Sequence, residues 1–447
     1  MSARYLAYKI LFDIEVNGNY SNMALNKYLN EAGLDDQDKG FVTELVYGII
    51  EKKRYLDYMI NKVSKIKVRK MQHPVKLVLR MGVYQLVYMD GVTDYAAINE
   101  SVNIMKKLDK RSASFVNAVL RNISRNLDEV KDISLNTVDK LAIYYSYEKW
   151  IVENLVKEYG FERTEAILRA LSQKPNIYLR VNRTKLRPGQ SMDYLVGQII
   201  GRLIDQGLEA SRVEGLEEAI KVKGLKSIDK HPLFREGYVS VQDISSILVA
   251  KVMNPKRESR VLDLCAAPGG KSTHIGELME NTGHLISQDI FDHKIKLMNT
   301  YARRLGLNNM EARLGDALVL NDDYIGKFDY VLCDVPCSGM GIVRRKPEIK
   351  YKKEEEVENL PDLQYQILEN ASSYLKEGGI LIYSTCTIFK QENTDVVDRF
   401  LNNHKDFDLD DLGPIKEFLG IGDKGLVKIL PDRYEMDGFF ICRMKKI

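Results

Sequence analysis

Two cysteines stand in matching positions on this chain, each inside a dense motif. Cys337 lies in Asp334-Val335-Pro336-Cys337-Ser338-Gly339, and Cys386 lies in Tyr383-Ser384-Thr385-Cys386-Thr387. Each follows an apolar run, Tyr330-Val331-Leu332-Cys333 and Ile380-Leu381-Ile382-Tyr383. Such runs read as buried parallel strands, so both thiols are expected at strand C-terminal ends. Ligands bind at that edge of an open α/β sheet. Two thiols there, with an acid three residues before one of them, point to nucleophilic chemistry rather than packing. Cys333 and Cys442 sit inside apolar runs and read as packing thiols.

A small-residue loop precedes them, Asp263-Leu264-Cys265-Ala266-Ala267-Pro268-Gly269-Gly270-Lys271-Ser272-Thr273. It falls between an expected strand and an expected helix. Cys265, Ala266, Ala267 and Pro268 are small enough to admit a ligand against the backbone, and Gly269 and Gly270 permit a tight turn. A phosphate-cradling Gly-x-x-x-x-Gly-Lys-Ser loop is broken, because Cys265 stands where the first Gly belongs. The Gly-x-Gly-x-x-Gly dinucleotide fingerprint is absent. Acids follow at successive expected strand ends. Asp289 is placed to accept from ribose hydroxyls, Asp316 from an adenine amino group, and Asp334 comes next. Any one alone is more often a solvated loop acid or a helix cap. Three in register beside this loop favour a nucleoside cofactor without a polyphosphate, S-adenosyl-L-methionine.

The elements that must position these residues follow from the periodicity. The chain has 447 residues, 45% apolar and 29% charged, with net charge +3. That is an ordinary globular composition, with length for several domains. Residues 1–130 show helical spacing throughout, with Thr93 as an N-cap and Pro74 in a first turn, and predict an all-α bundle. Residues 131–242 read as further helices, closed at Gly160, and then a small α+β module of ferredoxin-like type. Its expected elements are a strand over 176–182, a helix over 192–206 and short strands at 219–222 and 238–241. Residues 243–447 alternate strand and helix and predict a Rossmann-like, doubly wound, largely parallel sheet, with a last strand at 439–443 as an antiparallel edge. Ten Lys and Arg against the single acid Asp57 between Lys52 and Arg80 suggest an anionic partner, the alternative being a solvated helix face. Five cysteines with no CxxC and six scattered histidines imply reduced thiols and no metal site. No signal peptide or membrane span is evident, which leads us to expect a cytoplasmic protein.

The segments 263–274, 334–339 and 384–387, with Val241-Gln242-Asp243 before them and Asp437-Gly438-Phe439-Phe440 after, resemble the motifs of the RNA cytosine-5 methyltransferases. Residues 1–130 are similar to the antitermination factor NusB, notably at Val46-Tyr47-Gly48 and Phe115 to Asn122. A NusB-like domain joined to such a catalytic domain resembles the bacterial small-subunit ribosomal RNA methyltransferases. Val335 departs from the usual Ala, and Glu148 from a frequent Pro; neither touches a reacting atom.

The resemblance implies methylation of carbon 5 of a cytosine in 16S ribosomal RNA through a covalent cysteine–C6 adduct. It implies Cys386 as nucleophile and Cys337 as the thiol that assists release. Asp334 would hold the N3/N4 edge of the base, and Lys271 would tune the site or serve the cofactor loop. DNA enzymes of this chemistry attack with the Pro-Cys thiol and lack the other, so possession of both favours RNA. Arg344-Arg345-Lys346 is expected to join Lys52–Arg80 in binding phosphates. The expected partner is ribosomal RNA, with no membrane and no metal, and the protein is expected to be a monomer. The rival readings are a non-catalytic RNA-binding or antitermination protein with a vestigial methyltransferase domain, and a phosphate-loop ATPase.

Overall fold

The protein is described from a computed structural model covering residues 2–19, 21–225, 228–422 and 425–447. It divides into two compact units. One comprises residues 1–172 together with 345–354; the other comprises 173–344 and 355–447.

The first unit is helical, as the periodicity predicts. Its main helices span Ala3–Asn17, Ser21–Glu31, Asp36–Val63, His73–Tyr88, Asp94–Leu108, Ala113–Arg125, Lys149–Tyr159 and Phe161–Ala170. Side chains of Asp35 and Thr93 cap two of them, Pro74 sits in the first turn of a third, and Gly160 ends Lys149–Tyr159 at φ 79°. The apolar stripes of the first six of these helices share one core, including Leu45, Ile49, Leu79, Val83, Ile104 and Leu120. Gly48 lets two helices approach closely, because a Cβ there would enter the Tyr84 ring.

The basic stretch 52–80 is not the continuous phosphate-facing stripe that its composition suggests. Arg80 is buried, with Nε and Nη2 donating to Asp57 at 2.7 and 2.8 Å and Nη1 donating to Glu15 at 2.5 Å. Lys52 pairs with Glu51, Lys53 with Glu15, and Arg54 with Glu148, while Lys62 donates to the Glu129 and Asp132 carbonyls. The amphipathic helix Asp36–Val63 turns Lys53 and Arg54 toward acids distant in sequence, so composition alone overstates the outward charge. Lys65, Lys67, Arg69 and Lys70 stay exposed. Lys67, Arg69 and Lys76 line a concavity of about 410 Å³ with Asp57 and Arg80.

Residues 345–354 enter this unit as a strap. Tyr351 Oη donates to the Ile50 carbonyl at 2.5 Å, and Trp150 Nε1 donates to the Lys352 carbonyl at 2.9 Å. Lys350 is fully buried, with Nζ donating to the carbonyls of Glu51 and Tyr145. Burial lowers its pKa to about 7. In the unfolded chain a lysine titrates near ~10.4. Between these values the unfolded chain binds a proton that the folded chain does not, so stability rises with pH. This contribution is full above the unfolded pKa and is lost as pH falls through the folded one. Lys350→Met should flatten that rise, so the gap in melting temperature between wild type and variant should change steadily from about pH 7 to 10. A constant gap would mean that Lys350 stays protonated inside the fold.

In the second unit, residues 177–241 form a β-α-β-β-α-β module. Strands β1 (Ile177–Val181), β2 (Glu209–Val213), β3 (Leu216–Lys223) and β4 (Val239–Val241) make an antiparallel sheet of order β2-β3-β1-β4. The helix Met192–Asp205 lays Leu195, Val196, Ile199 and Leu203 on Leu179, Val181, Ile220 and Val239. The sequence does not announce β2. Glu209, Ser211 and Arg212 leave this edge strand exposed and without apolar alternation.

The larger sheet holds β5 (Arg260–Asp263), β6 (His284–Asp289), β7 (Met310–Leu314), β8 (Phe328–Asp334), β9 (Leu375–Thr385), β10 (Phe407–Leu409), β11 (Leu426–Ile429) and β12 (Phe439–Lys446). Its order is β10-β12-β9-β8-β5-β6-β7, with β11 also pairing β12. Strands β5 to β9 are parallel and switch direction of winding between β5 and β8. Alternation divides the core: Val261, Leu285, Leu332 and Ile382 face one layer, and Leu262, Ile286, Val331 and Leu381 the other. The last strand is antiparallel as expected, but it is not an edge. β12 lies between β9 and the short strands β10 and β11, which explains the burial of Phe439, Phe440, Ile441 and Cys442 in succession. Among the described residues, no helix is long and apolar enough to cross a membrane.

Candidate active site

The C-terminal ends of β5, β6, β7, β8 and β9 gather every candidate residue at one sheet edge. After β5 the chain turns through Cys265 to Gly269 into the helix Gly270–Leu278, with Gly269 at φ 101°. Ala266 N donates to the Gln288 carbonyl at 2.8 Å, and Gly269 N to the Ala266 carbonyl at 2.7 Å. Buried Asp289 accepts from Ala267 N and Phe291 N and pairs with Lys294 at 3.3 Å. Asp316 begins the turn after β7 and accepts from Leu318 N at 2.9 Å. Asp263, at the end of β5, is buried and accepts from Ser272 Oγ at 2.6 Å. Burial raises its carboxyl pKa to about 7, with the Ser272 hydrogen bond opposing.

The parallel pairing of β8 with β9 aligns Asp334 with Ser384. Ser384 Oγ donates to Asp334 Oδ1 at 2.7 Å, and Lys271 Nζ donates to Asp334 Oδ2 at 2.7 Å. Burial works against the Lys271 ammonium, but Asp334, together with Cys386 and Asp263, outweighs it and the pKa is raised. Lys271 is the one lysine of the 263–273 loop, and its charge is met by a carboxylate. A polyphosphate would compete with Asp334 for that ammonium. A nucleoside asks instead for carboxylates and backbone groups, which this rim supplies.

The two motif thiols meet, with Cys337 Sγ 3.1 Å from Cys386 Sγ, both half-buried. The Cys337 thiol is pushed well up, first by its hydrogen bond to Cys386 and then by burial. Cys265 is half-buried in the loop after β5 with its thiol raised by burial, while Cys333 and Cys442 are fully buried in strands. Gly341 N donates to the Cys386 carbonyl at 2.9 Å, and Gly438 N to the Gly341 carbonyl at 2.9 Å. A Cβ on Gly341 would strike the Gly438 carbonyl, so this contact requires glycine.

Sequence reasoning missed several supporting residues. Ser338 Oγ lies 2.7 Å from Thr387 Oγ1, joining the two loops. Glu392 accepts from Ser338 N, and Thr385 Oγ1 donates to Asn393 Oδ1 at 2.5 Å. The Glu392-Asn393 pair follows the Thr-Cys motif by six residues but lies inside the polar run Lys390 to Asp395, which reads as solvated, so no local signal marked it. Arg344 was expected on phosphates. Its side chain is instead nearly buried and pairs with Asp437 at 3.0 Å, which fixes the loop between β8 and the next helix to the start of β12.

A buried polar layer supports the loop after β5 from below. Arg180 of β1 is fully buried, with Nη1 donating to the Gly270 carbonyl at 2.9 Å and Nη2 to Glu277 at 2.7 Å. Nearby His274 faces Glu218 of β3 at 3.5 Å, and burial lowers the imidazole pKa to about 4. Arg180→Met would leave Glu277 buried and unpaired, and urea unfolding should lose ~3–5 kcal/mol. Arg180→Met with Glu277→Met should recover most of it. A single-variant loss under about 1 kcal/mol would reduce the pair to the worth of a surface bridge.

Comparison with known proteins gives consistent matches. The family model "16S rRNA methyltransferase RsmB/F" matches residues 250–445, "NusB family" matches 1–125, and "Methyltr_RsmF/B-like, ferredoxin-like domain" matches 147–229. The probable ribosomal RNA small subunit methyltransferase B of Bacillus subtilis (strain 168) is 40% identical, covering 100% of this chain and 99% of that protein. The similarly described protein of Synechocystis sp. is 32% identical, covering 100% of both. Among solved structures, PH0851 covers 100% of this chain and 98% of its own at TM-score 0.79 and 25% identity. A methyltransferase homolog from Pyrococcus horikoshii covers 70% of this chain and 100% of its own at TM-score 0.59 and 26% identity.

Proposed function

This chain belongs to the ribosomal RNA small subunit methyltransferase B family, and from that premise we propose that it methylates carbon 5 of a cytosine in 16S ribosomal RNA with S-adenosyl-L-methionine. The observation that carries the reading is the pair of thiols 3.1 Å apart beside Asp334 and Lys271. Residues 1–130 are proposed as an RNA-docking domain, 131–242 as the linking helices and ferredoxin-like module, and 243–447 as the catalytic domain.

The residues that would hold the cofactor are Cys265 to Lys271 at the loop, Asp289 and Asp316 at the rim, and Asp334. When bound, that group supplies an electrophilic sulfonium methyl. The protein's task is to make an unreactive ring carbon nucleophilic. The Cys386 thiolate adds to C6, which turns the ring into an enamine-like species with electron density at C5. Asp334, held by Lys271 and Ser384, is oriented to engage the N3/N4 edge as charge changes there. The C5 proton then passes to solvent, its electron pair re-forms the C5–C6 double bond and expels the Cys386 thiolate from C6, and Cys337 assists that departure. The target base must leave its stack to reach two half-buried thiols.

Mutants of the two thiols should behave in opposite ways. Cys386→Ala should abolish both methylation and any covalent protein–RNA adduct. Cys337→Ala should still attack and methylate, then accumulate an adduct visible on a denaturing gel. Bisulfite sequencing of the RNA would report methylation independently. An adduct from Cys386→Ala alone would reverse the roles. Methylation retained in both variants without adduct would end the covalent mechanism.

Lys67, Arg69 and Lys76, which line one concavity of the helical unit, support RNA docking by phosphate contacts. Replacing all three by Ala should reduce the slope of log affinity against log salt by about two, at ~0.7 per phosphate contact. An unchanged slope would mean that the concavity takes no RNA.

A further inference from the structure

Two thiols in contact do not both ionise. Like charges about 3 Å apart share a proton and titrate as a pair. Cys337 and Cys386 occupy near-equivalent ends of adjacent strands at 3.1 Å. The mechanism proposed above requires a thiolate on Cys386, and in a pair that shares one proton that proton must then sit on Cys337. The side chains themselves are identical, so the asymmetry must come from the groups that face them.

Those groups are Lys271, Asp334, Tyr383 and Glu392. Lys271 is the cation, and it interacts with Cys386. Glu392 is on the other side of the pair's charge balance. It ends the short turn Lys390–Glu392 and is fully buried. Its Oε2 accepts from Ser338 N, the amide following Cys337, at 2.8 Å, and from Gln364 Nε2 at 3.0 Å. Gln364 Nε2 also donates to the Pro336 carbonyl at 2.9 Å, just before Cys337. Tyr383 Oη donates to the Glu392 carbonyl at 2.6 Å. The Pro-Cys loop is therefore held on both sides of its cysteine through one carboxylate. Two N–H donors on one oxygen favour its ionised form.

We propose that Glu392 is a positioning residue that keeps the shared proton on Cys337 and so leaves the negative charge on Cys386. The inference rests on the thiol roles given under the proposed function. The Cys337 S–H donates to the Cys386 sulfur, the proton lost by Cys386 goes to solvent, and no other bond changes. Negative charge anchored one peptide from Cys337 opposes its ionisation, as does Asp334, while Lys271 favours that of Cys386.

A carboxylate that only staples the loop would have the same contacts, and Glu392→Gln separates the two roles. Glutamine keeps the volume and the acceptor for Ser338 N but removes the charge. The experiment is substoichiometric iodoacetamide across a pH series, with mass-spectrometric mapping of which cysteine reacts first. Wild type should react first at Cys386. In Glu392→Gln the share at Cys337 should rise about threefold or more. One pKa unit changes thiolate fraction tenfold, and the lower nucleophilicity of a less basic thiolate offsets part of that. An unchanged partition in a variant with the native circular dichroism spectrum would overturn the proposal and leave Glu392 a staple. First reaction at Cys337 in wild type would overturn the thiol assignment itself. Should Glu392→Gln not fold, lone thiols decide: Cys386 in Cys337→Ala should ionise at lower pH than Cys337 in Cys386→Ala, and equal midpoints would defeat the proposal.

Discussion

The chemistry of this protein depends on one register, the parallel pairing of β8 with β9 that sets Asp334 opposite Ser384. Both motifs run off the ends of these strands, so their pairing brings together residues fifty positions apart in sequence. Because side chains alternate along a strand, a slip of one residue would send Asp334 to the opposite face from Lys271. The register is fixed by the apolar residues beneath it. Leu332 and Ile382 face one core layer while Val331 and Leu381 face the other, and exchanging them would bury different volumes on both sides. The hydrogen bonds from Ser384 and Lys271 to the two oxygens of Asp334 then fix the carboxylate's orientation. Sheet packing thus sets the site, and the polar contacts refine it.

Much of this was legible in the sequence because parallel strands write themselves as short apolar runs. The runs before Cys337 and Cys386 located the strand ends, and the topology of an open sheet supplied the shared edge. The helical unit was equally readable from its period. Strand β2 was hidden because an exposed edge needs no apolar face. β10 and β11, with three and four residues, are too short to show a period. They also changed the status of β12, whose burial on both faces had a cause elsewhere in the chain. Charge was the least legible property. Lys52, Lys53, Arg54 and Arg80 look like an outward stripe, yet their acid partners include Glu15 and Glu148, which no local window contains.

The same limitation hid the residues that brace the loops. Arg344 appears in a basic triplet beside the active-site motif, but its partner Asp437 lies 93 positions later. Arg180 belongs to the small module, yet it holds the helix Gly270–Leu278 through the Gly270 carbonyl and Glu277. Long-range ion pairs have no periodic signature, since each requires only two residues and a fold that brings them together.

These buried charges cluster where the backbone leaves regular structure. Arg180 braces the turn after β5, Glu392 the loop after β8, and the Arg344–Asp437 pair the entry to β12. Desolvating such groups costs several kcal/mol per ion, and an apolar contact of similar volume would often be as stable. Apolar contacts are tolerant of sliding, however, whereas a hydrogen-bonded charge loses most of its interaction when its partner moves by about an ångström. Strands hold position by their ladders, and loops have no ladder. Where two loops bring their thiols into contact, a loop that drifts would separate the residues that the strands bring together. The expense of burying charge therefore falls at the turns, where direction matters more than stability.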